Sequence, residues 1–151
     1  MMVNIRKAEV KDIECIVGFQ KEMALETENL ILDTQVLLKG VTAVFEDEAK
    51  ATYFIAENDG ESIGMLMITN EWSDWRNGWV WWIQSVYIKP GFRRMGIYRL
   101  LYEHTKKSVI KSDNIRGLRL YVDKRNIRAQ SVYESLGMTG DHYTTYEWMS
   151  E

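Results

Sequence analysis

The segment from residue 86 to residue 101 carries residue types that bind anions. It reads VYIKPGFRRMGIYRLL, so an apolar run leads through a Pro-Gly turn and two arginines to Gly96, where helical spacing begins. The first N–H groups of a helix have no partner inside the helix and lie at the positive end of its dipole. A glycine at that point lets an anion approach the backbone. The segment therefore predicts a phosphate-binding loop.

The chain has few of the cysteine and histidine residues that other kinds of chemistry would need. It contains one cysteine, Cys15, and two histidines, which leave no internal disulfide and no basis for a metal site. Cys15 lies beside the apolar residues Ile16 and Val17, and we expect a structural thiol. His104 shares a helical face with Leu101, and we expect it to pack rather than to bind a ligand.

Composition sets further bounds. A chain of 151 residues with 46% hydrophobic and 27% charged residues is expected to form one soluble domain over residues 1–151. The apolar run at 79–83 is too short to span a membrane, and residues 1–7 lack the pattern of a signal peptide, so the expected location is cytoplasmic. The net charge of −3 argues against a nucleic-acid partner.

The elements that must position the loop follow from the spacing of apolar residues. Helices are predicted at 12–24, 33–44, 96–109 and 126–136. Asp33 and Asn126 are the expected caps. Strands are predicted at 4–7, 53–57, 62–70, 79–88, 118–122 and 138–149. Asn58-Asp59-Gly60 predicts a hairpin turn. The element order predicts an α/β fold of the α+β type, with a mixed, mostly antiparallel central sheet flanked by helices.

Two stretches resemble the GNAT superfamily of N-acetyltransferases. The P-loop and dinucleotide patterns are absent, but RRMGIY at 93–98 is similar to the family signature [QR]-x-x-G-x-[GA] after the fourth strand, with Tyr98 as the departure. NIRAQSVYESLGM at 126–138 is similar to the family's N-x-x-A-x-x-x-Y-x-x-x-G-[FM] element. An ordinary amphipathic helix would have the same spacing, but both motifs occur in the family's order.

The resemblance implies an enzyme in which a neutral primary amine attacks the thioester of acetyl-CoA directly, in a ternary complex. It implies contacts to acetyl-CoA from Val86, Tyr87, Ile88, Arg93, Arg94, Met95, Gly96, Ile97, Tyr98, Arg99, Asn126 and Tyr133. In the family a backbone N–H on the fourth strand donates to the oxyanion. Tyr133, a phenol with a pKa of about 10, matches the family's usual acid for the departing thiolate.

The base and the acceptor are less constrained. The fourth strand carries Gln84 and Ser85, although many relatives have a glutamate there. Water, or a carboxylate such as Glu26 or Glu28 between the first two helices, is expected to take the amine's proton. Solvated loop carboxylates are an equal alternative.

Alternation along the fourth strand predicts that Trp81 and Trp82 point to opposite faces. One is expected in the core, and the other, which we assign to Trp82, is expected to face the acceptor, a small cationic or peptide amine, or a partner subunit in a homodimer. Core or dimer packing is the expected use of most of the tryptophans.

Two other functions remain open at this point. A catalytically silent acyl-CoA-binding regulatory module would keep the phosphate loop, and the absence of a glutamate on the fourth strand favours it. A protein-interaction domain would use the tryptophan-rich third and fourth strands, and its glycine loop would be structural.

Overall fold

A computed structural model describes residues 1–150 as a five-stranded sheet with four α-helices. In chain order the elements are β1 Val3–Lys7, α1 Ile13–Glu28, α2 Thr34–Glu46, β2 Thr52–Asn58, β3 Glu61–Ser73, β4 Gly78–Ile88, α3 Ile97–Lys111, β5 Ile115–Leu120 and α4 Ile127–Ser135. Short 3-10 turns lie at Val10–Asp12, Asp74–Arg76 and Pro90–Phe92. The chain divides into two compact units, Met1–Arg119 and Leu120–Glu151. The expectation of one domain over residues 1–151 stays a prediction.

The sheet has the strand order β1-β2-β3-β4-β5. The pairs β1–β2, β2–β3 and β3–β4 are antiparallel. The predicted mixed, mostly antiparallel sheet is therefore confirmed. The β2–β3 turn has positive φ at Asp59 (49°) and Gly60 (78°), which is the conformation that an Asn-Asp-Gly sequence favours.

Helices cover both faces of the sheet. Tyr53 and Ile55 of β2 share a core cluster with Ile16 of α1 and with residues of α2. Phe54, which lies between them in sequence, contacts His104 of α3 with ring centroids 5.0 Å apart. Because successive side chains of a strand point to opposite faces, α1 and α2 cover one face and α3 covers the other. His104 packs as expected, and burial lowers its pKa.

A charged cluster fixes the start of α1 on the sheet. Arg6 of β1 donates to both carboxylate oxygens of Asp12, at 2.7 and 2.8 Å, and to Glu57 of β2 at 2.7 Å. Asp12 also accepts from the backbone N–H of Glu9 at 2.7 Å. The bonds from Arg6 are the main cause that lowers the pKa of Asp12, and they keep this buried carboxyl ionised. With its first turn held on β1 and β2, α1 has a fixed path across the sheet.

The predicted strand at 138–149 is wrong. Residues 139–150 form neither helix nor strand. The alternating aromatic residues suggested a strand, but Tyr146 is 93% and Trp148 86% exposed, so alternation creates no buried face here. Gly140 and Asp141 are also poor strand formers. The fifth strand, predicted at 118–122, lies instead at Ile115–Leu120.

Candidate functional site

The link between β4 and α3 is a loop whose backbone has two left-handed residues. β4 ends at Ile88, the turn Pro90–Phe92 follows, and α3 begins at Ile97. Arg94 has a φ of 64° and Gly96, the N-cap residue of α3, has a φ of 79°. A Cβ on Gly96 would meet no atom within 4 Å, so the backbone conformation requires the glycine and crowding does not. The space beside Gly96 is open to a ligand.

The N-terminus of α3 is suited to an anion. Within residues 1–150, no side chain caps this helix. Its first-turn N–H groups lie at the positive end of the helix dipole, beside the exposed residues Arg94, Met95 and Arg99. Tyr98 is the residue that departs from the family signature, and its hydroxyl oxygen is buried. The phenol is therefore turned into the protein.

The side chain of Arg93 joins the loop to the rest of the first unit. Its Nε donates to the carbonyl oxygen of Ile88 at 2.8 Å, and its Nη2 donates to Oε2 of Glu26 at 2.7 Å. The guanidinium also lies 5.5 Å from the centroid of the Tyr87 ring. These contacts hold the loop against the end of β4 and the last turns of α1. Sequence reasoning had Arg93 beside a phosphate and Glu26 near the acceptor, and did not foresee that they form an ion pair.

Tyr87, Val86 and Ile88 have different roles in β4. The Tyr87 side chain is buried against Phe19 of α1, with ring centroids 5.1 Å apart, and burial is the main cause that raises its pKa. The backbone N–H of Lys89 donates to Ile63 of β3 at 2.9 Å. Because N–H groups in an antiparallel pair alternate in direction, those of Ile88 and Val86 point away from β3. They are directed towards the side of the sheet on which β5 lies.

A β-bulge interrupts β4 at Gln84. Met67 of β3 pairs with Ser85, whereas the next residue, Ile68, pairs with Ile83, so Gln84 is the extra residue. Its amide nitrogen donates to Oγ1 of Thr69 at 2.8 Å. Two adjacent polar residues in an otherwise apolar and aromatic strand were the one signal in the sequence that this place is irregular.

Trp82 belongs to a polar cluster that the sequence analysis missed. Its Nε1 donates to Oε2 of Glu71 at 3.2 Å, and Nη1 of Arg119 donates to the same oxygen at 2.7 Å. The Arg119 guanidinium lies 5.9 Å from the centroid of the Trp82 ring. Trp81 instead contacts Phe54, with centroids 6.4 Å apart, on the face that α3 covers. The two tryptophans therefore point to opposite faces, as predicted.

The candidate bases differ in their surroundings. The carboxylate of Glu26 is 36% exposed and paired with Arg93. Glu28 is the last residue of α1 and is exposed, and Asn29, with a φ of 50°, ends the helix. Gln84 and Ser85 are held by Thr69 and by Gln20, whose amide nitrogen lies 3.1 Å from Ser85 Oγ. Of the candidate bases, Glu26 is the one that contacts the phosphate-binding loop, through Arg93.

The second unit contains the other predicted site residues, on α4. Asn126 caps this helix through Oδ1, which accepts from the backbone N–H of Ala129 at 3.0 Å. Tyr133 is half-buried in the second turn of α4. The turn before the helix is held by Asp123, which accepts from Arg125, and this pairing lowers the pKa of Asp123 to about 2. Asn126 therefore uses its side-chain oxygen to start the helix that carries Tyr133.

Residues 1–150 contain neither a metal-binding cluster nor a membrane-spanning helix. In that part of the chain no group of three or more histidine, cysteine, aspartate or glutamate side chains is arranged to hold a metal ion. Its helices are also too short or too polar to cross a bilayer. Cys15 is half-buried, and burial raises the pKa of its thiol, which fits the expected structural role.

Comparison with known proteins finds one family. Residues 18–138 match the model of the acetyltransferase (GNAT) family, which includes both the loop after β4 and the motif on α4. A search of curated protein sequences finds no match. Among solved structures, a possible acetyltransferase from Clostridium difficile 630 is 42% identical, with a TM-score of 0.93 over 100% of this chain and 99% of that one.

More distant structures share the fold alone. The aminoglycoside N-acetyltransferase AAC(6')-Iy in complex with CoA is 16% identical, with a TM-score of 0.79 over 98% of this chain and 95% of that one. A ribosomal-protein-alanine N-acetyltransferase from Brucella melitensis biovar Abortus 2308 is 14% identical, with a TM-score of 0.80 over 99% and 100% of the two chains.

We predict that Gly96→Glu weakens CoA binding at least about tenfold. The new carboxylate would stand in the open space before α3 and repel phosphate oxygens. Gly60→Glu is the matched control, because Gly60 has a φ of 78° and equally open surroundings in the β2–β3 turn. Both variants should lose about 1–2 kcal/mol of stability from the left-handed backbone. Titration calorimetry with CoA measures the difference, and equal affinities in the two variants would show that the loop does not bind the cofactor.

Proposed function

Because the chain belongs to the acetyltransferase (GNAT) family, we propose that it transfers an acetyl group from acetyl-CoA to a primary amine of a small molecule or peptide. The observation that carries this proposal is the uncapped N-terminus of α3, which follows the left-handed turn at Arg94 and Gly96. Such a terminus binds phosphate through backbone N–H groups. A CoA complex of AAC(6')-Iy, which has the same fold, supports the choice of ligand.

The residues of the loop fit a pyrophosphate group. Backbone N–H groups from Arg93 to Arg99 would donate to its oxygens, and the exposed Arg94 and Arg99 would add positive potential. Arg93 would act mainly through its backbone, since its side chain binds Ile88 and Glu26. On the second unit, Asn126 and Tyr133 are proposed to contact acetyl-CoA as the family motif implies.

The edge of β4 would stabilise the reacting carbonyl. When bound, acetyl-CoA supplies the acetyl group as a reactive thioester. The N–H groups of Val86 and Ile88, which point away from β3, can donate to the oxygen on which negative charge develops. Since these donors are part of a strand that is held on β3, they need little reorganisation during the reaction.

The amine must lose a proton before it attacks. An alkyl ammonium has a pKa of about 10.4 in water, so most of an acceptor is protonated at neutral pH. We propose Glu26 as the group that takes this proton, directly or through water, with Glu28 as its neighbour on the acceptor side. A carboxylate oxygen is able to accept a hydrogen bond from the ammonium.

The departing thiolate would take a proton from Tyr133. A phenol is protonated at neutral pH and donates without special tuning. The expected location in the cytoplasm and the possible homodimer stay predictions.

A silent acyl-CoA-binding module is the second candidate function. The observation that favours it is the side chain at the β-bulge, which is Gln84 and not a carboxylate. This module would bind CoA through the same loop and release no thiol in the presence of amines.

We predict that acetyl-CoA raises the melting temperature and is consumed when amines are added. A ligand at 100 times its Kd stabilises a protein by about 2.7 kcal/mol, or roughly 5–10 °C for a chain of this size. Thermal shift followed by thiol release across an amine panel tests both steps. No shift at millimolar acetyl-CoA would contradict the whole proposal. A shift without thiol release would favour the silent module.

We predict that Glu26→Gln lowers turnover without weakening CoA binding. Glutamine cannot accept the amine's proton, whereas removal of a negative charge beside the loop should leave the phosphate site equally or more favourable. Glu22→Gln is the control, because Glu22 is exposed one turn earlier on α1 and, like Glu26, raises the pKa of Tyr87 electrostatically. Wild-type turnover in Glu26→Gln would leave Glu26 only its role as the partner of Arg93.

We predict that Tyr133→Phe slows acetyl transfer by about 10²-fold, the lower end of the range for general acid catalysis, because a thiolate already leaves readily. The ring keeps its volume, so CoA affinity and melting temperature should change little. Tyr146→Phe, at an exposed position in the same unit, is the control. The role of Tyr133 is tested by measuring the rate constant, under conditions where chemistry limits the rate, together with the affinity for the cofactor. An unchanged rate would make Tyr133 a packing residue.

A further inference from the structure

Glu71 presents a carboxylate whose position is fixed from two sides. Trp82 and Arg119 both donate to its Oε2, at 3.2 and 2.7 Å. The other oxygen, Oε1, is the one that can accept from a bound cation. The Glu71 side chain is 42% exposed, so a ligand can reach it from solvent. A carboxylate held in this way loses little further side-chain freedom on binding, and this favours recognition.

The cluster lies on the face of the sheet that α1 and α2 cover. Met65 and Met67 of β3 pack with the core cluster of those helices. Side chains alternate along a strand, so Thr69 and Glu71 continue the same face beyond the helices. The bond from Gln84 to Thr69 brings the β-bulge to this face as well. The polar cluster therefore begins where the helix-covered core ends.

The distance from the reacting carbonyl follows from the strand. Trp82 precedes Val86 by four residues, which corresponds to roughly 10–13 Å along a bulged strand. Glu71 pairs with Val80, two residues further along β4, and its side chain bonds to the Trp82 indole. A group bound at Oε1 would thus be roughly 10–20 Å from an amine positioned at the Val86 and Ile88 N–H groups.

We propose that Glu71, fixed by Arg119 and Trp82, binds a second cationic group of the acceptor, so that the preferred substrates are extended diamines or polyamines. This inference rests on the proposed acetyl transfer. One amino group reacts beside β4 while the other donates a charge-assisted hydrogen bond to Glu71.

The test compares an α,ω-diamine series with monoamines of equal chain length, by thiol release. We expect wild-type protein to prefer the longer diamines in kcat/KM by about tenfold. Glu71→Gln keeps an oxygen that can accept from Trp82 but loses the charge, and should remove the preference through KM with kcat unchanged. Glu61→Gln is the matched control, because Glu61 forms a similarly exposed ion pair with Lys89, at 2.8 Å, at the other end of β3. It should keep the preference.

A purely structural role for Glu71 gives a different result. Loss of the ion pair that joins β3 to β5 would lower the melting temperature and reduce activity with monoamines and diamines alike. This outcome overturns the proposal. Glu71→Asp retains the negative charge on a shorter side chain. It serves as the second variant if Glu71→Gln folds poorly, and it should keep part of the preference for diamines. If no amine releases thiol, the proposed acetyl transfer fails. Calorimetry then measures whether the diamine binds to the CoA-bound protein through Glu71. Equal diamine affinity in wild type and Glu71→Gln would overturn the proposed subsite.

Discussion

The contacts of the Arg93 guanidinium set the geometry of the loop that follows β4. Its bonds to Ile88 and Glu26 join the end of a strand, a left-handed loop and the last turns of α1. An exposed ion pair of this kind contributes at most about 1 kcal/mol to stability. Its importance is geometric, because the loop has few apolar side chains that could hold it by packing. The loop before the open N-terminus of α3 is therefore joined to β4 and α1 by polar contacts more than by apolar packing.

The β-bulge at Gln84 divides β4 into two functional parts. On one side of it Ser85 and Tyr87 pack against α1, and the strand carries the outward N–H groups of Val86 and Ile88. On the other side Trp82 lies with Glu71 and Arg119. A regular strand would have extended the apolar face. The extra residue instead lets a core-forming strand become polar over a few residues, at the proposed acceptor site.

Local signals in the sequence predicted most of the fold. Asp33 caps α2 through its side chain, accepting from Gln35 and Val36, and Gly96 begins α3, as their residue types suggested. The loop after β4 was predictable for the same reason, since its glycine and its helix start are neighbours in sequence. The final strand was not, because a strand depends on a partner and alternation alone does not supply one.

Long-range pairs could not be predicted from spacing. Arg93 and Glu26 are 67 residues apart in sequence, and Glu71 and Arg119 are 48 apart. No local pattern connects such residues, because each pair forms only after the sheet has brought its strands and helices together. The bulge belongs to the same class, since its register depends on β3 as much as on β4. Both pairs involve arginine and glutamate, residue types that a sequence reader assigns to solvent by default.

The proton balance of the proposed reaction explains why a partly exposed base suffices. An ammonium acceptor and a thioester give an amide, a thiol and one proton that must leave the protein. In the proposed scheme Tyr133 gives a proton to the thiolate and must regain one, whereas Glu26 takes a proton and must lose it. A base at 36% exposure exchanges that proton with water readily. A buried glutamate on β4 would hold the proton more tightly and would need a separate path to solvent, which a base on α1 avoids.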